Sequence, residues 1–84
     1  MNNKHKRTLA AIFDTPTRPG IHWADIERLL IAAGCERIEG SGSRVKFVKD
    51  GRIASFHRPH PDPHAKRYQV EDARRYLRLL GILP

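Results

Sequence analysis

From Trp23 to Ala33, the apolar residues Trp23, Ile26, Leu29, Leu30 and Ala33 recur at three- and four-residue spacing, and Gly34 follows. That period is helical, and a glycine in that place supplies the left-handed residue that closes a helix. The spacing therefore predicts a helix within "HWADIERLLIAAG", its stripe turned to a core. Val70, Ala73, Tyr76, Leu77 and Leu80 form a second stripe, which predicts a helix over 69–80 closed by Gly81. Residues 3–13 carry a shorter version with Leu9, Ile12 and Phe13 on one side. "DTPTRPG" at 14–20 then breaks the pattern with two prolines and a glycine.

Between the two longer helices the period shortens to two. "RVKFVK" and "RIASFH" flank Asp50-Gly51, a dipeptide suited to a two-residue hairpin turn. "CERIEG" predicts a short strand before them, connected through "GSGS". "RPHPDPH" beyond the hairpin holds three prolines in five residues and is expected to stay off any ladder. The fold class is thus α+β: helix, helix, a three-stranded antiparallel sheet, helix, with the helices on one sheet face and the other face wet. Residues 1–84 are expected to form a single domain, with 1–20 a helix-and-loop extension and 21–84 its core.

A two-residue turn also sets the register. Lys49 then opposes Arg52, Val48 opposes Ile53, Phe47 opposes Ala54, Lys46 opposes Ser55, Val45 opposes Phe56, and Arg44 opposes His57. Opposed residues share a face and faces alternate along each strand. Val45, Phe47, Ala54 and Phe56 therefore point inward. Arg44, Lys46, Ser55 and His57 point outward, with Val48 and Ile53 near the turn. A slip of one residue would invert the whole assignment.

Charge gives that outward face a meaning. Sixteen lysines and arginines against nine acidic residues leave a formal net charge of +7 on 84 residues. Such a balance favours polyanions: nucleic acid first, an acidic protein second, an anionic membrane surface third. Basicity that serves only solubility is the plain alternative. Arginine grips phosphate with a planar fork, lysine adds a point charge, and histidine moves protons near neutral pH. Cys35 is the single cysteine, so no internal disulfide framework is possible and a reducing compartment is expected. No apolar run approaches the ~18 residues that cross a bilayer. The expected location is cytoplasmic, with no membrane partner.

His57, His60 and His64 fall together in "HRPHPDPH". No CxxC pair, HExxH or second ligand cluster accompanies them, so no metal is assigned. Structural histidines in a turn and a proton-transfer role for at least one of them both stay open. Neither a phosphate-cradling GxxxxGK[ST] nor a dinucleotide fingerprint occurs, and no small-molecule cofactor is expected. Arg74, Arg75 and Arg78 lie on the polar side of the last helix, expected as a solvated face.

The order of these features resembles the HicA toxins of bacterial toxin–antitoxin pairs over about residues 23 to 82. The likeness comprises a helix ending in glycine, a short strand, "GS" before a basic strand, the "DG" hairpin, Pro59-His60-Pro61, and a closing helix ending "LGI". It implies a fold like a double-stranded RNA-binding domain, ribosome-independent cleavage of messenger RNA, and a HicB-like antitoxin that covers the site. In the family a catalytic histidine usually follows Gly-Ser, whereas Arg44 follows Gly42-Ser43 here. His60 matches the histidine of the "PHP" element. On this likeness His57 and His60 are the catalytic candidates, and Ser43, Arg44, Lys46, Ser55 and Arg58 the RNA-contacting ones. Two other functions remain: a non-catalytic module reading RNA through phosphates and 2′-hydroxyls, and a basic domain that docks an acidic partner.

Overall fold

Three helices and one antiparallel sheet follow one another in the expected order in the computed structural model, which describes residues 1–84. They are α1 (Asn3–Ile12), α2 (Trp23–Ala32), β1 (Glu36–Glu39), β2 (Arg44–Lys49), β3 (Arg52–His57) and α3 (Arg67–Leu79). The sheet order is β1-β2-β3. The β2–β3 register is the expected one throughout, from Lys49 opposite Arg52 to Arg44 opposite His57. Asp50 and Gly51 have φ of 52° and 74°. Two left-handed central residues make a type I′ turn, whose twist matches that of the strands it joins.

Sixteen buried residues make one core cluster. Val45, Phe47 and Phe56 on the inner sheet face join Trp23, Ile26, Leu29 and Leu30 of α2 and Val70, Ala73, Tyr76 and Leu77 of α3. The Phe56 ring lies 5.0 Å from Trp23 and 6.2 Å from Phe47, in tilted and edge-on geometry. The Tyr76 hydroxyl is shared between the carbonyls of Arg52 at 3.0 Å and Phe47 at 3.2 Å, which fastens α3 beneath the hairpin. Burial pushes its pKa up to about 12, so it stays a donor at every ordinary pH.

The N-terminal extension belongs to the same core. Leu9, Ala11 and Ile12 are among the sixteen, and α1 packs on both α2 and α3. This corrects the expectation of a solvated arginine face on α3 at one position, Arg74. Arg74 donates to the carbonyls of Ile12 at 2.8 Å and Asp14 at 3.1 Å, and to the Thr17 hydroxyl at 3.1 Å. The Arg78 guanidinium sits 5.4 Å from the Phe13 ring centroid. Arg75, paired with Asp72, and Arg78 both stay exposed to solvent. The cause is the 13–17 segment, whose bare carbonyls past the end of α1 need donors.

The proline-rich segment stays off the sheet, as expected, and is tied instead to the approach to α2. His64 bridges to His22 in antiparallel fashion, the Ala65 N–H donates to Ile21 O at 2.7 Å, and the Trp23 N–H donates to Pro63 O at 3.0 Å. Prolines 59, 61 and 63 lack donors, but Pro63 still offers its carbonyl and Ala65 keeps its N–H. No helix is long and apolar enough to cross a membrane.

Candidate functional site

The outward sheet face has a polar end and an apolar end. At the Gly-Ser loop, Arg44 stands opposite His57; one step along, Ile38 of β1, Lys46 and Ser55 form a row across all three strands. Nearest the turn come Glu36, Val48 and Ile53. Arg44, Lys46, Ser55 and His57 are all exposed, and Ile53 is 61% exposed. Cations and imidazole therefore cluster where β2 starts and β3 ends, while the bare aliphatic surface lies toward Asp50-Gly51.

Backbone hydrogen bonding brings the Arg44 and His57 side chains close. The Arg58 N–H donates to Ser43 O at 2.8 Å, so Ser43 and Arg58 form a bonded pair just beyond the strand ends. Alternation then makes Arg44–His57 a pair that exchanges no backbone bonds. In such pairs the Cα atoms stand about 4.5 Å apart and the side chains are nearest. The loop on the other side of Arg44 is equally tight. Gly40 N–H donates to Arg44 O at 2.9 Å, and Arg44 N–H to Ser41 O at 3.2 Å. A Cβ on Gly40 would lie 3.0 Å from Arg44 Cβ, so only glycine lets the chain close this loop without moving Arg44.

His57 is anchored from below. Its carbonyl accepts the Gln69 side-chain amide at 2.6 Å, and Gln69 is only 2% exposed. The imidazole itself stays exposed.

Arg58, expected among the RNA contacts, is engaged elsewhere. Its Nε and Nη2 donate to Glu27 at 2.7 and 3.1 Å, and its Nη1 and Nη2 to Glu39 at 2.7 and 2.9 Å. Glu27 also accepts from the Trp23 indole and, at 3.4 Å, from Arg37. Burial alone would push the Glu27 carboxyl up; hydrogen bonds from Arg58 and Trp23 and the Arg58 charge outweigh it and hold the group below the usual carboxylate range. Glu39 is likewise lowered, chiefly by its hydrogen bonds from Arg58.

His60 does not join the sheet-face group. It is exposed and lines a groove of about 500 Å³ with Arg18, His64, Lys66 and Arg67. Nor do the three histidines converge. His64 lies 2.7 Å from Asp62 through Nδ1, and its ring centroid is 4.6 Å from that of His22. No group of three or more His, Cys, Asp or Glu side chains is arranged to hold a metal ion.

Sequence reasoning passed over Glu27 altogether. A signal was present: Glu27 follows Trp23 by four and precedes Leu30 by three, inside the buried stripe of α2. A carboxylate in that place needs a cation.

The family model described as "HicA toxin of bacterial toxin-antitoxin" matches residues 23–82. No curated protein and no solved structure matches the chain. The matched span takes in α2, the whole sheet and α3, including the outward face and both candidate histidines. The chain therefore belongs to the HicA toxin family and is a toxin of a bacterial toxin–antitoxin system, with an antitoxin for its partner.

Proposed function

We propose that this toxin is a metal-independent endoribonuclease that cuts messenger RNA in the cytoplasm, stops translation and growth, and is neutralised by a HicB-like antitoxin covering the sheet face. The observation that carries the reading is the cross-strand pairing of Arg44 with His57. It sets an exposed imidazole beside the position at which the family usually has its histidine.

The chemistry asks for three things. A base takes the proton of a ribose 2′-hydroxyl, cations stabilise the charge developing on phosphorus oxygens, and an acid protonates the departing oxygen. His57 takes the 2′-hydroxyl proton as the new 2′-O–P bond forms. Arg44 and Lys46 hold the phosphate, Arg44 through its fork and Lys46 as a point charge. The P–O5′ bond breaks, leaving a 2′,3′-cyclic phosphate and a 5′-hydroxyl end. The departing O5′ takes its proton from water at this exposed face, since His60, the second candidate, lines a separate groove beside Arg18 and Arg67. Ser43 and Ser55 offer hydroxyls to the strand's phosphate and sugar oxygens.

The test is incubation of purified protein with a single-stranded RNA, followed by mapping of cleavage and end groups. The wild type should yield cyclic-phosphate ends, and His57→Ala should bind RNA but leave it intact. Cutting by His57→Ala at the wild-type rate would remove His57 from the mechanism. Binding without any cutting by the wild type would instead favour the non-catalytic RNA module.

A further inference from the structure

We propose that Arg58 is a positioning residue and not a phosphate ligand: clamped between Glu27 and Glu39, it locks the Gly-Ser loop so that Arg44 faces His57. The proposal deepens the ribonuclease reading and rests on it for its catalytic consequence.

Donor accounting comes first. A guanidinium has five N–H groups, and four bonds from Arg58 already run to the two carboxylates. Bidentate phosphate binding needs two free parallel donors, and Arg58 cannot supply them. Charge accounting agrees. Arg58 and Arg37 stand against Glu27 and Glu39, four groups in mutual contact at 2.7 to 3.4 Å, with no net charge. A neutral cluster exerts little pull on an incoming anion.

Connectivity supplies the positive half. Glu27 comes from α2, Glu39 ends β1, and Arg58 follows β3 directly. One side chain thus ties three elements together around the 40–43 loop. The same residue's N–H holds Ser43 O at 2.8 Å, the last backbone bond before Arg44 and His57. With Gln69 holding the His57 carbonyl, the dipeptide His57-Arg58 is fixed on both sides. A small displacement between reacting groups is enough to cost orders of magnitude in rate.

The experiment uses the full chain with a single-stranded RNA oligonucleotide and amide hydrogen exchange. Glu27→Gln and Arg58→Lys should each lower kcat on the order of tenfold to a hundredfold, with KM and the salt dependence of RNA binding close to wild type. The amides of Gly40, Arg44 and Arg58 should exchange at least about tenfold faster, each tenfold marking a local opening easier by that factor. Lysine keeps the charge, but its three N–H groups cannot make the four bonds of the fork; a lowered kcat with an unchanged salt slope separates positioning from phosphate binding. If Glu27→Gln does not fold, Glu39→Gln breaks the solvent-side arm alone and is read the same way. The proposal is overturned if these variants keep wild-type kcat and exchange. A loss of about 0.7 from the salt slope in Arg58→Gln, one single-strand phosphate contact, would overturn it too. Should the wild type fail to cut RNA, the exchange rates still decide whether the clamp holds the loop.

Discussion

Gln69 holds His57 through the backbone: its Nε2 donates to the His57 carbonyl at 2.6 Å, while its Oε1 accepts the Lys66 N–H at 2.9 Å. One buried amide thus caps α3 and ends β3. Gln69→Leu leaves a carbonyl and an N–H without partners, each costing about 1–3 kcal/mol where buried. Over the two groups that is about 2–6 kcal/mol, and because His57 and Lys66 are exposed to water we expect a loss of about 2 kcal/mol by urea unfolding, the lower end. Gln69→Glu should be as harmful at neutral pH, because a carboxylate cannot donate to His57 O. Wild-type stability in either variant would show that water replaces the amide.

The outward cations should be visible in salt dependence. Arg44→Ala with Lys46→Ala removes two candidate phosphate contacts, and each contact contributes about 0.7 to the log–log salt slope for a single strand. The slope should fall by about 1.4 units, while Ser55→Ala leaves it unchanged. Fluorescence anisotropy with a labelled RNA at several salt concentrations measures it. An unaltered slope would move RNA off this face and leave the antitoxin as its occupant.

The Glu27 clamp makes the fold sensitive to acid in a defined direction. Its carboxyl is lowered in the folded chain, so the stabilisation is complete above the unfolded value of about 4.3 and disappears as pH falls through the lower folded one. Urea midpoints measured from pH 6 downward should therefore drop more steeply in wild type than in Glu27→Gln, beginning near about pH 4.3. Parallel curves would mean that Glu27 titrates alike in both states.

Arg74 should be irreplaceable by lysine. Its fork reaches Ile12 O, Asp14 O and the Thr17 hydroxyl at once, and a single ammonium cannot span all three. Arg74→Lys should cost about 1.5–3 kcal/mol, the worth of one charged hydrogen bond. Limited proteolysis should then cut first within residues 13–20.

What could be read from the chain and what could not divides by sequence distance. Asp50-Gly51 sets the β2–β3 register because turn chemistry and alternation act between neighbours, and the outward quartet follows from them. The helix stripes are local in the same way. Arg74 meets Ile12 across 62 residues and Arg58 meets Glu27 across 31. No local pattern selects such partners. Glu27 in a buried stripe announces that some cation must reach it, but sixteen basic residues were available. Arg58 next to His57 read as part of a basic surface because its charge is visible in sequence and its neutralisation is not. The His22–His64 bridge was hidden by prolines, whose missing donors obscure the carbonyl and the N–H that remain.

The placement of α1 bears on how the toxin comes into being on the ribosome. A ten-residue helix is marginal by itself in water, and α1 is made before every element it packs on. Its anchor, Arg74, is synthesised 62 residues later. The hairpin can form from neighbouring residues alone, but the layer beneath it closes only once α3 is available. A translation product broken off before α3 thus lacks the donor that anchors α1, and with it a finished toxin.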